Sequence, residues 1–174
     1  MATLVMDPPP VQFEELLERR RRLGLDRRDE MWEGVYRMTP AAGEAHWQLD
    51  DQLAELLRPL AREAGLISGG EFNLGEPNDY RVPDRGLHRP DTHGDWRSTA
   101  ALVVEILSPG DASWEKLPFY AAHDVDEVLI VDPAKRSVDW LGLGDDEYRP
   151  IEHSGLIDLG PGELAEQIDW PLTS

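Results

Sequence analysis

AALVVEILSPG, residues 100–110, is the stretch on which the fold turns. From Ala100 to Leu107 it is apolar except for Glu105, and Ser108-Pro109-Gly110 ends it. Read as a strand, it puts Val103, Glu105 and Leu107 on one face and Leu102, Val104 and Ile106 on the other. Both faces are apolar, which predicts a central strand covered on both sides. A lone ionised carboxylate in such a strand costs several kcal/mol unless it is paired, hydrogen-bonded or bound to metal. Glu105 is therefore either half of a structural ion pair with an arginine or lysine, or a functional acid near the open end of the sheet.

Working outward, the chain downstream predicts a helix to about His123. Its regular part starts near Ser113 or Trp114, because Pro118 lacks an N–H and disfavours helical geometry just before it. Trp114, Leu117 and Ala121 are expected to face the core. Residues 127–131 read as a second buried strand and 137–143 as its hairpin partner. Upstream, 66–74 and 80–87 read as a hairpin across the turn-rich residues 75–79. A helix is predicted over 44–64, where Trp47, Leu49, Leu53, Leu56, Leu57 and Leu60 recur at helical spacing before Gly65, with a kink expected at Pro59. Earlier still, 31–38 reads as a short strand around Gly34, and 11–23 as a surface helix with early glutamates and late arginines. The order helix, strand, strand, strand, helix, strand predicts an α/β fold with a mixed β-sheet flanked by helices. We expect one domain over 1–174, with an N-terminal helix at about 11–24 and a short C-terminal extension at about 148–174.

The chain has no cysteine, which excludes disulfides, zinc–thiolate sites and thiol nucleophiles. No apolar stretch is long enough to cross a bilayer, and the start MATLVMDPPP lacks the pattern of a secretory signal. A cytoplasmic protein without membrane attachment is the expectation. The formal net charge of −18 argues against broad, non-specific affinity for nucleic acid. Residues 11–30 are locally neutral, with six arginines (Arg19–Arg22, Arg27, Arg28) against six acids. That segment reads as a solvated helix surface, with a nucleic-acid patch as the alternative.

A second acid comes from RVPD, residues 81–84. Proline near a strand end lets the chain turn and presents Asp84 at that edge. Two converging carboxylates need a cation between them, or one must take up a proton. Magnesium, a hard ion held by one or two carboxylates plus water and phosphate oxygens, suits that pair. Asp91 of Pro90-Asp91 is a rival on a loop. Lys116, after Glu105, could position an attacking water and stabilise phosphate charge; the alternative is a solvated lysine.

Together RVPD, LVVEILSPGD, WEKLPFY and DEVLIVDP resemble a bacterial family of restriction endonuclease-like proteins in the PD-(D/E)XK nuclease superfamily. DEMWEGVYRMTP followed by His46 resembles that family's N-terminal signature, and the likeness runs from about Val11 to Leu143. It implies the restriction endonuclease-like fold (an αβββαβ core) with Asp84 as the motif aspartate and Glu105 as the acid on the next strand. The superfamily's lysine normally follows two residues later, where this chain has Leu107. The resemblance extends to members whose lysine has migrated to the following helix, and Lys116 matches it. Glu33 is a candidate extra acid at the metal, in competition with Glu44 and Asp50. The implied activity is Mg²⁺-dependent hydrolysis of DNA phosphodiester bonds, with Mn²⁺ as a substitute and metal held by Asp84, Glu105 and the Ile106 carbonyl. A homodimer is expected on the same grounds.

His46 reads as a cap or packing residue, with a contact to the site as the alternative. His88, Asp91 and His93 form a poor metal spacing. Ser108 has no evident base and reads as a turn residue, and Gly69-Gly70 is too sparse to cradle phosphate. Three other functions stay open: a degenerate nuclease-fold binding or regulatory module, a small-molecule phosphoesterase, and a structural partner protein.

Overall fold

The computed structural model describes residues 4–6, 13–91, 94, 96–110 and 112–172. Strand β1 is Leu4–Met6, helix α1 Phe13–Leu23, β2 Glu30–Trp32, β3 Val35–Met38 and α2 Glu44–Glu63. Then come β4 Ile67–Gly69, β5 Asn73–Glu76, β6 Asp79–Arg81, β7 Arg85–His88, β8 Trp96–Arg97 and β9 Leu102–Ile106. A 3₁₀ turn, Ser113–Lys116, leads into α3 Leu117–Ala122, followed by β10 Glu127–Asp132, β11 Ser137–Gly144, β12 Glu147–Pro150 and α4 Pro161–Gln167.

Two six-stranded sheets form, rather than the one expected. The central sheet has the order β12-β11-β10-β9-β7-β4, and only β9 and β10 run parallel in it. The succession α2-β4-β7-β9-α3-β10 is the predicted helix-and-strand order, with α3 as the crossover that a parallel pair requires. The second sheet, β1-β3-β2-β6-β5-β8, gathers the N-terminal strands with β5, β6 and β8, while β7 between them in the chain stays in the central sheet. The hairpin expected over 66–87 is thus divided between sheets: β5 pairs with β6, and β4 pairs with β7.

The alternation read in β9 is what the core obeys. Leu102, Val104 and Ile106 pack with Leu49, Leu53 and Leu57 of α2 and with Ile157, Leu159, Leu164 and Ile168 of the C-terminal segment. Val103 packs on the other face, with Tyr120, Val128 and Leu74. All five β9 residues are buried, as a two-sided strand must be. The C-terminal segment is therefore core material. It also closes over Glu127, whose carboxylate accepts from Trp140 Nε1 (2.8 Å), Ser154 Oγ (2.6 Å) and the Gly155 N–H (2.7 Å).

Helix α2 runs through Pro59 to Glu63, close to the predicted 44–64, with the proline on the exposed side where water can satisfy a freed carbonyl. Two expectations need correction. Trp47, expected on the inward stripe, is 53% exposed; the stripe is His46, Leu49, Leu53, Leu57 and Ala61. Trp114, also expected inward, is 46% exposed. Its segment winds as a 3₁₀ turn ahead of Pro118, and 3₁₀ spacing aligns Ser113 with Lys116 instead. Among the described residues no helix is long and apolar enough to cross a membrane.

Candidate active site

A cleft of about 1120 Å³ opens between the β2–β3 hairpin, the start of α2, the ends of β7 and β9, and the 3₁₀ turn. Strand alternation decides what the hairpin offers to it. Arg28, Glu30 and Trp32 line the cleft together with Arg37 and Thr39. Asp29 and Tyr36 take the opposite face, where Tyr36 Oη donates to Asp29 (2.7 Å) and its ring meets Phe13 of α1 edge-on. Glu33 and Gly34 form the tip, both with positive φ (49° and 86°), as a tight two-residue hairpin turn needs.

Three carboxylates and one ammonium meet at the base. Glu105 Oε1 and Oε2 lie 3.0 and 3.2 Å from Lys116 Nζ, and Ser113 Oγ donates to Oε2 at 3.3 Å. Tyr120 Oη donates to Glu105 as well. Ser113, Lys116 and Tyr120 form a column because 3₁₀ spacing aligns the first pair and α-helical spacing the second. Glu30 Oε1 accepts from Lys116 Nζ (2.9 Å) and the Val82 N–H (2.8 Å), and its Oε2 accepts from Trp32 Nε1 (2.7 Å). Asp84 Oδ2 accepts the Ile106 N–H at 2.8 Å. Asp84 Oδ1 is 2.9 Å from His46 Nε2 and 3.1 Å from Arg28 Nη1.

The electrostatics follow from burial and crowding. Burial pushes the Glu105 carboxyl up to about 7; Lys116 pulls against that, while Asp84 and Glu30 add to it. Burial alone would lower the Lys116 pKa, but Glu105, Glu30 and Asp84 raise it, so the ammonium stays charged. Burial would also raise Asp84. The His46 bond, the Ile106 N–H and Arg28 outweigh it and hold this carboxyl below its ordinary range.

Asp84, Glu105, Lys116 and Ile106 are thus brought together, and His46 and Arg28 join them. His46 is a site contact rather than a cap: it heads the inward stripe of α2, a place where an apolar residue would otherwise sit. Arg28 leaves the solvated-surface reading, with Nε 3.0 Å from Glu71 as well as its contact to Asp84. Glu33 is not at the site; it is exposed at the hairpin tip, where its N–H donates to Asp79 Oδ1 (3.1 Å). Glu30, three residues earlier, takes its place, and the one-strand reading of 31–38 hid it. Asp50 pairs with Arg85 (2.9 Å), and Glu44 only lines the cleft. Ser108 lines the cleft too. His88 is buried in β7 against Phe72, Asp91 is exposed on its loop, and His93 lies outside the described residues. Gly69 ends β4 opposite Gly86, away from the cleft.

Among the described residues no three His, Asp or Glu side chains form a closed metal cage. The donor set fits a hard cation all the same. Asp84 and Glu105 are buried oxygen donors that repel one another, and Mg²⁺ is ordinarily held by one or two carboxylates with water and substrate oxygens completing its shell.

Fold and site together define a class: restriction endonuclease-like α/β domains with a buried carboxylate–lysine centre. The chain belongs to the Uma2 family, described as "Putative restriction endonuclease", whose model matches residues 11–172. No curated protein matches it. Among solved structures it is similar to a "putative nuclease belonging to DUF820" from Anabaena variabilis, with a TM-score of 0.64 and 14% identity over 80% of this chain and 90% of that one. The DrdV–DNA complex gives a TM-score of 0.37 at 16% identity, over 71% of this chain and 13% of that one.

Proposed function

We propose that this protein is a metal-dependent nuclease that hydrolyses phosphodiester bonds of DNA in the cytoplasm. The observation that carries the proposal is the buried Glu30–Lys116–Glu105 cluster beside Asp84 at the base of a large cleft. Asp84, Glu105 and the Ile106 carbonyl would hold Mg²⁺, or Mn²⁺ in its place, with Glu30 as an outer acid. When bound, the metal lowers the pKa of a coordinated water and neutralises charge on phosphate oxygens.

The protein's own groups do the rest. Lys116 keeps its proton at neutral pH, so it donates hydrogen bonds, orients water against the phosphorus and stabilises charge on the pentavalent phosphorus centre. Tyr120 and Ser113 fix the rotamer of Glu105. His46, Arg28 and the Ile106 N–H fix that of Asp84. The pairing of two copies would let two sites meet two strands, and sedimentation equilibrium tests it.

The test is cleavage of supercoiled plasmid with Mg²⁺ or Mn²⁺ by wild type, Asp84→Asn, Glu105→Gln and Lys116→Met. Cutting by wild type, lost in each folded variant, supports the reading; absence of cutting, or equal cutting by all, overturns it. The net charge of −18 favours one second reading, a small-molecule phosphoesterase on the same centre. Competition by short nucleotides but not by duplex would select it.

A further inference from the structure

Three cations reach the cleft wall and base: Arg28, Arg37 and Lys116. Two are committed. Arg28 pairs with Glu71 and Asp84, and Lys116 with Glu30 and Glu105. Arg37 has no acidic partner among the described residues, and its Nε is buried without a hydrogen bond. Exposed arginines such as Arg149 also lack a carboxylate among the described residues, but Arg37 lacks one while lining the cleft.

Its place is set by strand register. Arg37 stands directly opposite Glu30 across the β2–β3 pair, one diagonal step from Trp32. The guanidinium lies over the Trp32 ring, 3.6 Å from its centroid. The indole is itself tied down, since Nε1 donates to Glu30 (2.7 Å). Stacking holds the guanidinium plane while leaving its outer fork for an oxyanion, the arrangement in which arginine binds phosphate through two parallel hydrogen bonds. The hydrogen bond from indole to Glu30 fixes this cation relative to the acid cluster.

We infer that Arg37, stacked on Trp32, is a phosphate-binding residue that grips a phosphate of the substrate strand flanking the scissile one. The inference rests on the nuclease reading for its location, and it deepens it: the substrate is a polymer with more than one phosphate in contact, not a monoester. It also explains how a strongly acidic protein can seat a polyanion, through one stacked cation beside the charge of the metal.

The test separates binding from cleavage. Binding of a fluorescein-labelled 12-base-pair duplex is measured by anisotropy against salt, with Ca²⁺ and again with EDTA, for wild type, Arg37→Gln, Arg37→Lys and Arg149→Gln. Arg149 is exposed on β12, away from the cleft, and controls for net charge. We expect Arg37→Gln to weaken binding roughly tenfold and to flatten the slope of log affinity against log salt by about one unit. Arg37→Lys should keep the slope while losing part of the affinity, because the charge remains and the fork is gone. Arg149→Gln should match wild type. In cleavage assays Arg37→Gln should raise KM with little change in kcat. Duplex binding that depends on Arg37 without cleavage by wild type would leave the subsite standing and remove the nuclease reading. Cleavage by wild type with an unaltered slope and KM in Arg37→Gln would remove the subsite alone. Absence of duplex binding by wild type under both conditions also overturns the subsite.

Discussion

Lys116 Nζ lies 3.0 Å from Glu105 Oε1, and both side chains are buried. Removing one partner of such a pair leaves an uncompensated buried charge, here shared with Glu30. Lys116→Met is therefore expected to lower stability by about 3–5 kcal/mol in urea unfolding. The double variant Lys116→Met/Glu105→Gln should regain a large part of the loss. A single variant as stable as wild type would contradict the pairing.

Glu30 and Glu33 separate cleanly by position. Glu30 contacts Lys116, while Glu33 is exposed at the hairpin tip. Calorimetric titration with Mn²⁺ should show Glu30→Gln binding about tenfold or more weakly. Glu33→Gln should bind as wild type does; equal losses in both would refute the assignment.

His46 is a positioning residue that acts through Asp84. His46→Leu should reduce kcat/KM for oligonucleotide cleavage roughly 10–100-fold. His46→Gln, which keeps an N–H donor, should restore part of it. If both variants fall equally, orientation of Asp84 is not what His46 supplies.

His88 makes stability depend on pH. Burial, with Arg97 adding to it, pushes its pKa down to about 4 from 6.5. Between those values the unfolded chain binds the extra proton, so stability is complete above about pH 6.5 and falls as pH drops toward 4. At 1.36 kcal/mol per pKa unit the change amounts to at most about 3.4 kcal/mol. His88→Leu should flatten the difference in urea stability between pH 7 and pH 4; an unchanged difference would rule His88 out as its source.

The strand alternation of 102–106 and the leucine spacing of α2 were readable because each depends on neighbours in the chain. Periods of two and of about four residues say which side chains share a face wherever the element is later packed. Glu105 stood out on the same logic, as a charge inside a run apolar on both faces. Asp84 of RVPD and Lys116 were candidates from their places at a strand end and after Glu105; family resemblance only added the roles expected of them, and both reach the same site.

What the tertiary structure decided is which distant segments meet. Glu30 and Arg28 lie more than fifty positions before Asp84 and Glu105 in the chain, and they join the site because β2 pairs with β6 in a second sheet that local periodicity does not reveal. His46 looked like any residue at a helix start until α2 docked its inward stripe on β9 and carried the imidazole to Asp84. Local sequence determined the faces of the elements here; long-range pairing and close packing determined the company each charged side chain keeps.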